Sequence, residues 1–302
     1  MEGAETRPLR ELGRVFDDVA VEYDAVRPGY PAGLVDVALE AGALDGGSAV
    51  LEIGCGTGKL TERLVARGLR VHAVEPGAKL VEAARRRLGP TAAVRFEIAR
   101  FEDAELADDF YDAVFSATAF HWVEPSVGWA KAASVLKPGG LLALLTYIGV
   151  RDERSAAMEE QFMALLREHA PALAATWKPL PDLASVITGA EQRSANASAV
   201  WDWVMSDGRH AMTLPEVAHL FDGIEVVTVL ARERHTADEV LAHTRTTSFW
   251  FMLPADRRDA FASDYRRLID SHGGTFPNSR ADVLMTARKA RTSARLPLAG
   301  GR

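Results

Sequence analysis

The chain has 302 residues, 48% of them hydrophobic and 25% charged, a composition typical of a globular domain with room for an insertion. Its formal net charge of −7 argues against a nucleic-acid partner, and its single cysteine, Cys55, excludes an internal disulfide or a cysteine-based zinc site. The first fifteen residues lack the apolar core of a signal peptide, and the ten-residue apolar run at 141–150 is too short to span a bilayer. We therefore expect a soluble, cytoplasmic protein.

Short segments rich in Val, Ile, Leu and aromatics alternate with helix-like stretches between Ala49 and Tyr147. Strands separated by amphipathic helices predict βαβ units, and hence a parallel sheet with helices on both faces. The motif "KPGG" at 137–140 predicts the end of a helix and a turn into the next strand. The predicted strands of this part are 49–53, 70–74, 94–98, 111–116 and 141–147.

The regular alternation of strands and helices stops after this core. The pattern of the later residues predicts an insertion followed by the last strands of the sheet. Two further strands are expected at 223–230 and 281–289, with two helices between them at about 237–252 and 256–271. The predicted organisation is an N-terminal helical segment (1–48), a core of alternating strands and helices (49–150), a helical insertion (151–220), the C-terminal part of the core sheet (221–290) and a disordered tail (291–302).

A glycine loop, "VLEIGCGTG", ends the first predicted strand and opens a helix. Gly54, Gly56 and Gly58 allow a tight turn and a close approach of the backbone to a ligand. Dinucleotide-binding folds also carry a glycine loop, but their last glycine is replaced here by Lys59. Glu75 ends the second strand, where a carboxylate can accept hydrogen bonds from both hydroxyls of a ribose. The two features together predict a nucleoside-type site.

These segments, with "FEDAEL", "YDAVFSATAFHWV" and "VLKPGGLLALLTY" in the same order, resemble class I S-adenosylmethionine-dependent methyltransferases over residues 49–147. "YDAVRPGYP" and "TRTTSFWFMLP" are similar to the type 11, trans-aconitate methyltransferase-like branch, which modifies small acceptors. The resemblance implies a Rossmann-like, seven-stranded, mostly parallel sheet whose last strand is antiparallel, with helices on both faces and a helical lid. It also implies S-adenosylmethionine as cofactor and S-adenosylhomocysteine as product, bound over the carboxyl ends of strands 1 to 4.

The resemblance further implies roles for individual residues around the cofactor. The glycine loop would line the methionine moiety, and Glu52 would either orient that loop or face the ammonium group. Phe101 and Glu102 would flank the adenine, although "ARFED" lacks the Asp that many relatives place there, so Glu102, Asp103 or a main-chain carbonyl takes that role. The implied cofactor residues are Tyr23, Arg27, Glu52, Gly54, Cys55, Gly56, Gly58, Glu75, Pro76, Phe101, Glu102, Ala117 and His121.

Tyr23 and Arg27 belong to an N-terminal segment that folds over the cofactor in relatives. Arg27 would either pair with the methionine carboxylate or be a surface residue before a proline. His121 follows the fourth strand and has a side chain whose ordinary pKa, about 6.5, suits a catalytic base. Relatives with unlike acceptors carry a similar His-Trp pair, so we favour a role for His121 and Trp122 as a wall of the cofactor site.

The methyl acceptor is expected to be a small molecule bound among aromatic side chains. Tyr30, Trp122 and Trp250 are the predicted acceptor residues, while most other aromatics at helical spacing are expected in the core. The scattered histidines do not predict a metal site. We expect neither a nucleic acid nor a membrane as partner, and a homodimer stays open.

Methyl transfer to an O, N or C atom of a small molecule is thus the predicted function. A protein or nucleic-acid methyltransferase is the alternative, although "SATAFHW" replaces the [DN]-P-P-[YFW] loop of base-amine methylases. The sequence also leaves open a non-catalytic S-adenosylmethionine-binding module and, against the evidence of Lys59, a nicotinamide dehydrogenase.

Overall fold

The computed structural model describes residues 29–90, 93–206 and 213–291. Within these ranges it contains seven strands, β1 (Ala49–Ile53), β2 (Arg70–Val74), β3 (Val94–Glu97), β4 (Tyr111–Ala117), β5 (Leu136–Gly149), β6 (Phe221–Thr236) and β7 (Thr275–Lys289). They form one sheet in the order β3-β2-β1-β4-β5-β7-β6. Six strands are parallel and the last is antiparallel, which confirms the predicted fold class.

The helices of the same ranges lie between and after these strands. The α-helices are α1 (Ala32–Gly42), α2 (Lys59–Val65), α3 (Ala78–Leu88), α4 (Pro125–Val135), α5 (Ala156–His169), α6 (Pro171–Thr176), α7 (Leu183–Glu191), α8 (Ala197–Ser206), α9 (Ala237–Arg245), α10 (Ser248–Met252) and α11 (Arg258–Ser271). Short 3-10 helices cover Phe120–Trp122, Pro215–His219 and Ala255–Arg257. No helix in the described ranges is both long and apolar enough to cross a membrane.

The start of β5 differs from the prediction. The helix before it ends at Val135 as "KPGG" indicated, but the strand begins at Leu136 rather than at Leu141. Leu136 pairs with Tyr111, and the register then shifts before the next pair, Ala113 with Leu141. The Pro-Gly-Gly sequence therefore forms an irregularity within the strand instead of the predicted turn before it.

The carboxyl ends of the four strands β1 to β4 lie together at one edge of the sheet. β1 is buried along its whole length, as expected for a parallel strand covered on both faces. Its last residue, Ile53, pairs with Val74 of β2 and with Ser116 of β4, and Val74 in turn pairs with Glu97 of β3. The loops that follow these four strands therefore start side by side at the carboxyl edge.

The chain divides into two compact units. The larger consists of the described parts of Tyr30–Thr146, Val186–Thr228 and Val283–Arg302, and its core packs around Leu51, Val114 and Leu142. The smaller includes Tyr147–Ser185 and Val229–Asp282, and its core contains an aromatic cluster. The rings of that cluster are Phe162, Trp177, Phe249, Phe261, Tyr265 and Phe276.

Candidate cofactor site

The glycine loop between β1 and α2 adopts a backbone that L side chains rarely take. Gly54, Gly56 and Gly58 have φ values of 69°, 54° and 83°. A Cβ atom on Gly54 would lie 2.3 Å from the Cβ atom of Ala119, whereas one on Gly56 would meet nothing described within 4 Å. Glycine at 54 thus allows two loops to touch, and glycine at 56 keeps a space open beside the backbone.

The carboxylate of Glu75 lies buried at the carboxyl end of β2. Its Oε2 accepts a hydrogen bond of 3.0 Å from the backbone N–H of Gly56, and its Oε1 accepts one of 2.9 Å from that of Gly77. The two bonds fix the carboxylate between the glycine loop and the start of α3. A carboxylate oxygen can accept more than one hydrogen bond, so these two bonds do not by themselves exclude hydroxyl donors of a ligand.

Glu52 is a second acidic side chain beneath the glycine loop, and only 1% of it is exposed. Burial raises its pKa to about 7; contact with Thr61 partly offsets that effect, and repulsion by Glu75 adds to it. Among the residues that the structure describes, the Oε2 atom of Glu52 has no hydrogen-bond partner. A buried acceptor of this kind is costly, so a cationic or N–H donor from a ligand would stabilise it.

The segment after β4 forms the turn that contains His121. Phe120 is buried and packs edge-on against Trp129, with ring centroids 4.8 Å apart. The rings of His121 and Trp122 are partly exposed and lie 4.9 Å apart at an interplanar angle of 45°. The core thus anchors one ring of the Phe-His-Trp sequence and leaves the other two accessible.

Thr118 precedes that turn in a left-handed conformation, with φ of 52°. This backbone is unfavourable for a β-branched residue and costs on the order of 1–3 kcal/mol. The N–H of Thr118 donates to the Leu145 carbonyl at 2.8 Å, and its hydroxyl makes a short hydrogen bond with the Tyr30 hydroxyl. Together with the contact of Ala119 on Gly54, these bonds hold the turn in place.

The loop after β3 contains the residues expected beside the adenine. Phe101 is only 3% exposed and belongs to the core of the larger unit, which limits any contact with a ligand to its edge or main chain. The Oε1 atom of Glu102 accepts hydrogen bonds from Arg100 at 2.5 Å and from the backbone N–H of Glu124 at 3.0 Å. Burial alone would raise the pKa of Glu102, but these bonds outweigh it and hold that pKa below its usual value.

Other predicted site residues are distributed as follows. Cys55 is buried in the glycine loop, where burial, and then repulsion by Glu52 and Glu75, raises the pKa of its thiol. Pro76 is exposed beside Glu75, and Ala117 is the last residue of β4. Trp250 lies in the smaller unit, with the Arg245 guanidinium 5.7 Å from its ring centroid. Tyr23 and Arg27 lie outside the described residues.

One group of three side chains in the described ranges has the composition of a metal site: Glu168, His169 and Asp264. The Nε2 atom of His169 lies 2.8 Å from Asp264 Oδ2, and Arg267 forms a salt bridge with the same carboxylate. His169 is buried and packs edge-on against Phe261. These contacts account for the group as a link between α5 and α11 within the smaller unit.

Comparison with known proteins agrees with this geometry. A family model described as a methyltransferase domain matches residues 51–144. An uncharacterized methyltransferase of Mycobacterium tuberculosis (strain ATCC 25618 / H37Rv) is 39% identical over 151 residues, which are 50% of this chain and 58% of that protein. The chain thus spans less than two thirds of the length of that relative.

Two solved structures share the fold. A protein of Anaeromyxobacter dehalogenans, solved as a candidate type II methyltransferase, aligns with a TM-score of 0.57 at 23% identity, covering 89% of this chain and 99% of its own. A Haemonchus contortus phosphoethanolamine N-methyltransferase, in complex with phosphomonomethylethanolamine and S-adenosylhomocysteine, aligns with a TM-score of 0.50 at 16% identity, covering 95% and 61%.

The fold and the loops at its carboxyl edge define a Rossmann-like methyltransferase domain. Over residues 51–144 the chain is therefore similar to methyltransferases, as the resemblance of its motifs led us to expect.

Proposed function

We propose that this protein transfers a methyl group from S-adenosylmethionine to an O, N or C atom of a small molecule. The observation that carries the proposal is the arrangement around Gly56. The space beside Gly56 is open, its N–H is bound by the buried carboxylate of Glu75, and the unsatisfied oxygen of Glu52 belongs to the same strand-loop junction. This combination offers room for a nucleoside amino acid, an acceptor for its ribose and an acceptor for its ammonium group.

The residues present fit this cofactor. When bound, S-adenosylmethionine would supply a methyl group on a sulfonium for in-line displacement, with S-adenosylhomocysteine as the leaving group. The protein's task is then chiefly to align the acceptor with that methyl group, and such alignment can contribute roughly 7–11 kcal/mol to lowering the barrier. Glu75 would bind the ribose hydroxyls and Glu52 would face the ammonium, while the fixed backbone of the glycine loop sets their spacing.

His121 and Trp122 would form the wall of the site on the β4 side. Their partial exposure and the anchoring of Phe120 in the core support this role. An already ionised acceptor, such as a carboxylate, needs no general base, so the arrangement does not depend on proton abstraction by His121. This leaves His121 as a contact for cofactor or acceptor.

A small-molecule acceptor is favoured over a macromolecule. The net charge of −7 provides no general attraction for a nucleic acid, and the loop after β4 is "SATAFHW" rather than the Pro-Pro loop of base-amine methylases. The Haemonchus contortus protein of the same fold was solved with phosphomonomethylethanolamine, which adds support at the level of the fold. The second candidate function is binding of the cofactor without catalysis of methyl transfer.

Isothermal titration calorimetry with S-adenosylhomocysteine and with NAD tests the cofactor. We expect the protein to bind S-adenosylhomocysteine and not NAD. The Glu75→Ala variant should bind S-adenosylhomocysteine more weakly than an exposed-site control, Glu82→Ala on α3. Binding of NAD alone would contradict the proposal. A panel of small carboxylates, amines and phenols, with S-adenosylhomocysteine release as readout, then tests catalysis; cofactor binding without any turnover would favour the second candidate function.

A further inference from the structure

Two charged side chains connect the loop after β3 to the segment after β4. Glu102 accepts the backbone N–H of Glu124, the residue immediately before α4. Lys131, within α4, donates from Nζ to the main-chain carbonyls of Glu102 at 3.0 Å and Ala104 at 2.6 Å. We refer to the pair Glu102 and Lys131 as the clasp.

The clasp joins loops whose strands are not neighbours. β3 and β4 are separated in the sheet by β2 and β1, so the two strands are about 14 Å apart at about 4.8 Å per spacing. The hydrogen bonds of the clasp therefore join segments that follow strands on either side of β1 and β2, whose carboxyl ends lie between them in the sheet order. The glycine loop and Glu75 lie at those ends.

Local electrostatics favours the same contact. The Glu102 carboxylate lies at the N-terminal end of the 11-residue helix α4, where a negative charge is stabilised by the helix dipole. The Lys131 ammonium lies 5.3 Å from the ring centroid of Phe101, the buried residue that immediately precedes Glu102. Each charge of the clasp thus contacts a main-chain group of the opposite segment, and Glu102 also pairs with Arg100 of its own loop.

We propose that Glu102 and Lys131 are positioning residues: they hold the loop after β3 at a fixed distance from the His121–Trp122 turn and so set the width of the nucleoside end of the cofactor site. The inference rests on the proposed function, because it assigns the clasp a role in cofactor binding. It also gives Glu102 a role that does not require contact with the adenine. The clasp acts through the loops rather than on the reacting atoms.

The test compares Lys131→Met with Lys137→Met. Methionine retains the packing of the Lys131 stem over Phe101 and removes its donors. Lys137 is a matched control because it is about half exposed and forms an ion pair with Asp112. Both residues lie near the amino ends of their strands, β5 and β4, at the edge of the sheet opposite the candidate site. Lys131→Arg keeps the charge and serves as the conservative rescue.

Calorimetry with S-adenosylhomocysteine is expected to give a Kd about 10-fold higher for Lys131→Met, which removes both hydrogen bonds from the ammonium to the loop, and about 3-fold higher for Lys131→Arg. Lys137→Met should stay within about 2-fold of wild type even if its melting temperature falls. A purely structural role would lower the melting temperature of Lys131→Met and leave its Kd unchanged, which would overturn the inference.

A second measurement does not depend on the cofactor. Amide hydrogen exchange at Glu124 in the ligand-free protein should accelerate about 10-fold in Glu102→Ala, because its acceptor is removed. Unchanged exchange would show that the clasp does not hold the two loops together and would overturn the inference. If the wild-type protein fails to bind S-adenosylhomocysteine, the proposed function is wrong and the cofactor role of the clasp falls with it. If wild type binds and Lys131→Met binds equally well, only the clasp inference is wrong.

Discussion

Gly54 and Ala119 lie so close that a Cβ atom on Gly54 would stand 2.3 Å from the Cβ atom of Ala119. Real Cβ atoms essentially never approach another heavy atom within 3.0 Å. The glycine loop after β1 and the turn after β4 therefore contact each other through the smallest groups available. Residue 54 is constrained by a neighbouring loop of the protein as well as by any ligand.

Gly54→Ala is expected to destabilise the protein by about 2–4 kcal/mol, from the left-handed backbone and the steric overlap together. Adding Ala119→Gly should relieve the overlap and leave the backbone penalty, so the double variant should regain at least about 1 kcal/mol. Urea denaturation of the single and double variants measures this coupling. Strictly additive effects would show that the two residues do not meet.

Gly56→Ala is expected to separate ligand binding from stability. Its φ of 54° nearly equals the 57° of Gly223, and a Cβ atom would meet nothing described within 4 Å at either position. Both variants should therefore lose a similar stability, about 1–2 kcal/mol. Only Gly56→Ala should weaken S-adenosylhomocysteine binding, by at least about 10-fold, because its methyl group fills the proposed cofactor space. Equal affinities in the two variants would contradict that placement.

Glu52 should make stability fall as the pH rises. Its pKa is about 7 in the folded protein against an ordinary value of 4.5, so the unfolded chain ionises first as pH increases. The stabilisation is complete below pH 4.5, is lost between 4.5 and about 7, and then stays constant; the full change is about 3 kcal/mol. Glu52→Gln removes this change, so its stability relative to wild type should increase with pH.

Urea denaturation at about pH 5 and about pH 8 measures the Glu52 effect. Glu62→Gln on α2 is the control, since that side chain is 53% exposed and its replacement should change neither pH profile nor stability appreciably. Parallel profiles for wild type and Glu52→Gln would mean that Glu52 titrates near its ordinary pKa.

His121→Ala distinguishes a wall from a base. As a wall, His121 contributes packing to the cofactor, so the Kd for S-adenosylhomocysteine should rise about 5-fold while the pH dependence of turnover stays unchanged. As a base, its loss would reduce turnover about 10²–10⁴-fold and remove one limb of the pH profile. Replacement of the exposed His219 by alanine provides the control.

The central strands could be predicted closely from the sequence because their signal is local. β1 and β2 have the bounds expected from their β-branched runs, and β3 differs by one residue. The strands β6 and β7 are each longer than their apolar segments, since pairing extends them into polar residues such as Arg234 and Thr275. Hydrophobic periodicity does not report that extension.

The contacts that shape the candidate site could be predicted less well. The glycines and Glu75 follow from a motif, but the bond between Glu102 and the N–H of Glu124 joins residues 22 positions apart and leaves no local pattern. Threonine is disfavoured in a left-handed conformation, so the sequence does not predict the backbone that Thr118 adopts. Tertiary contacts with Leu145 and Tyr30 override that preference.

The environment of Cys55 makes this chain convenient for thiol chemistry. It is the only cysteine, it is buried, and its thiol is held protonated, so maleimides should leave the resting protein unmodified. A fluorophore can therefore be attached at an introduced surface cysteine without removing the native one. Conversely, slow labelling of Cys55 itself would report how often the glycine loop opens, and a bound cofactor should slow it further.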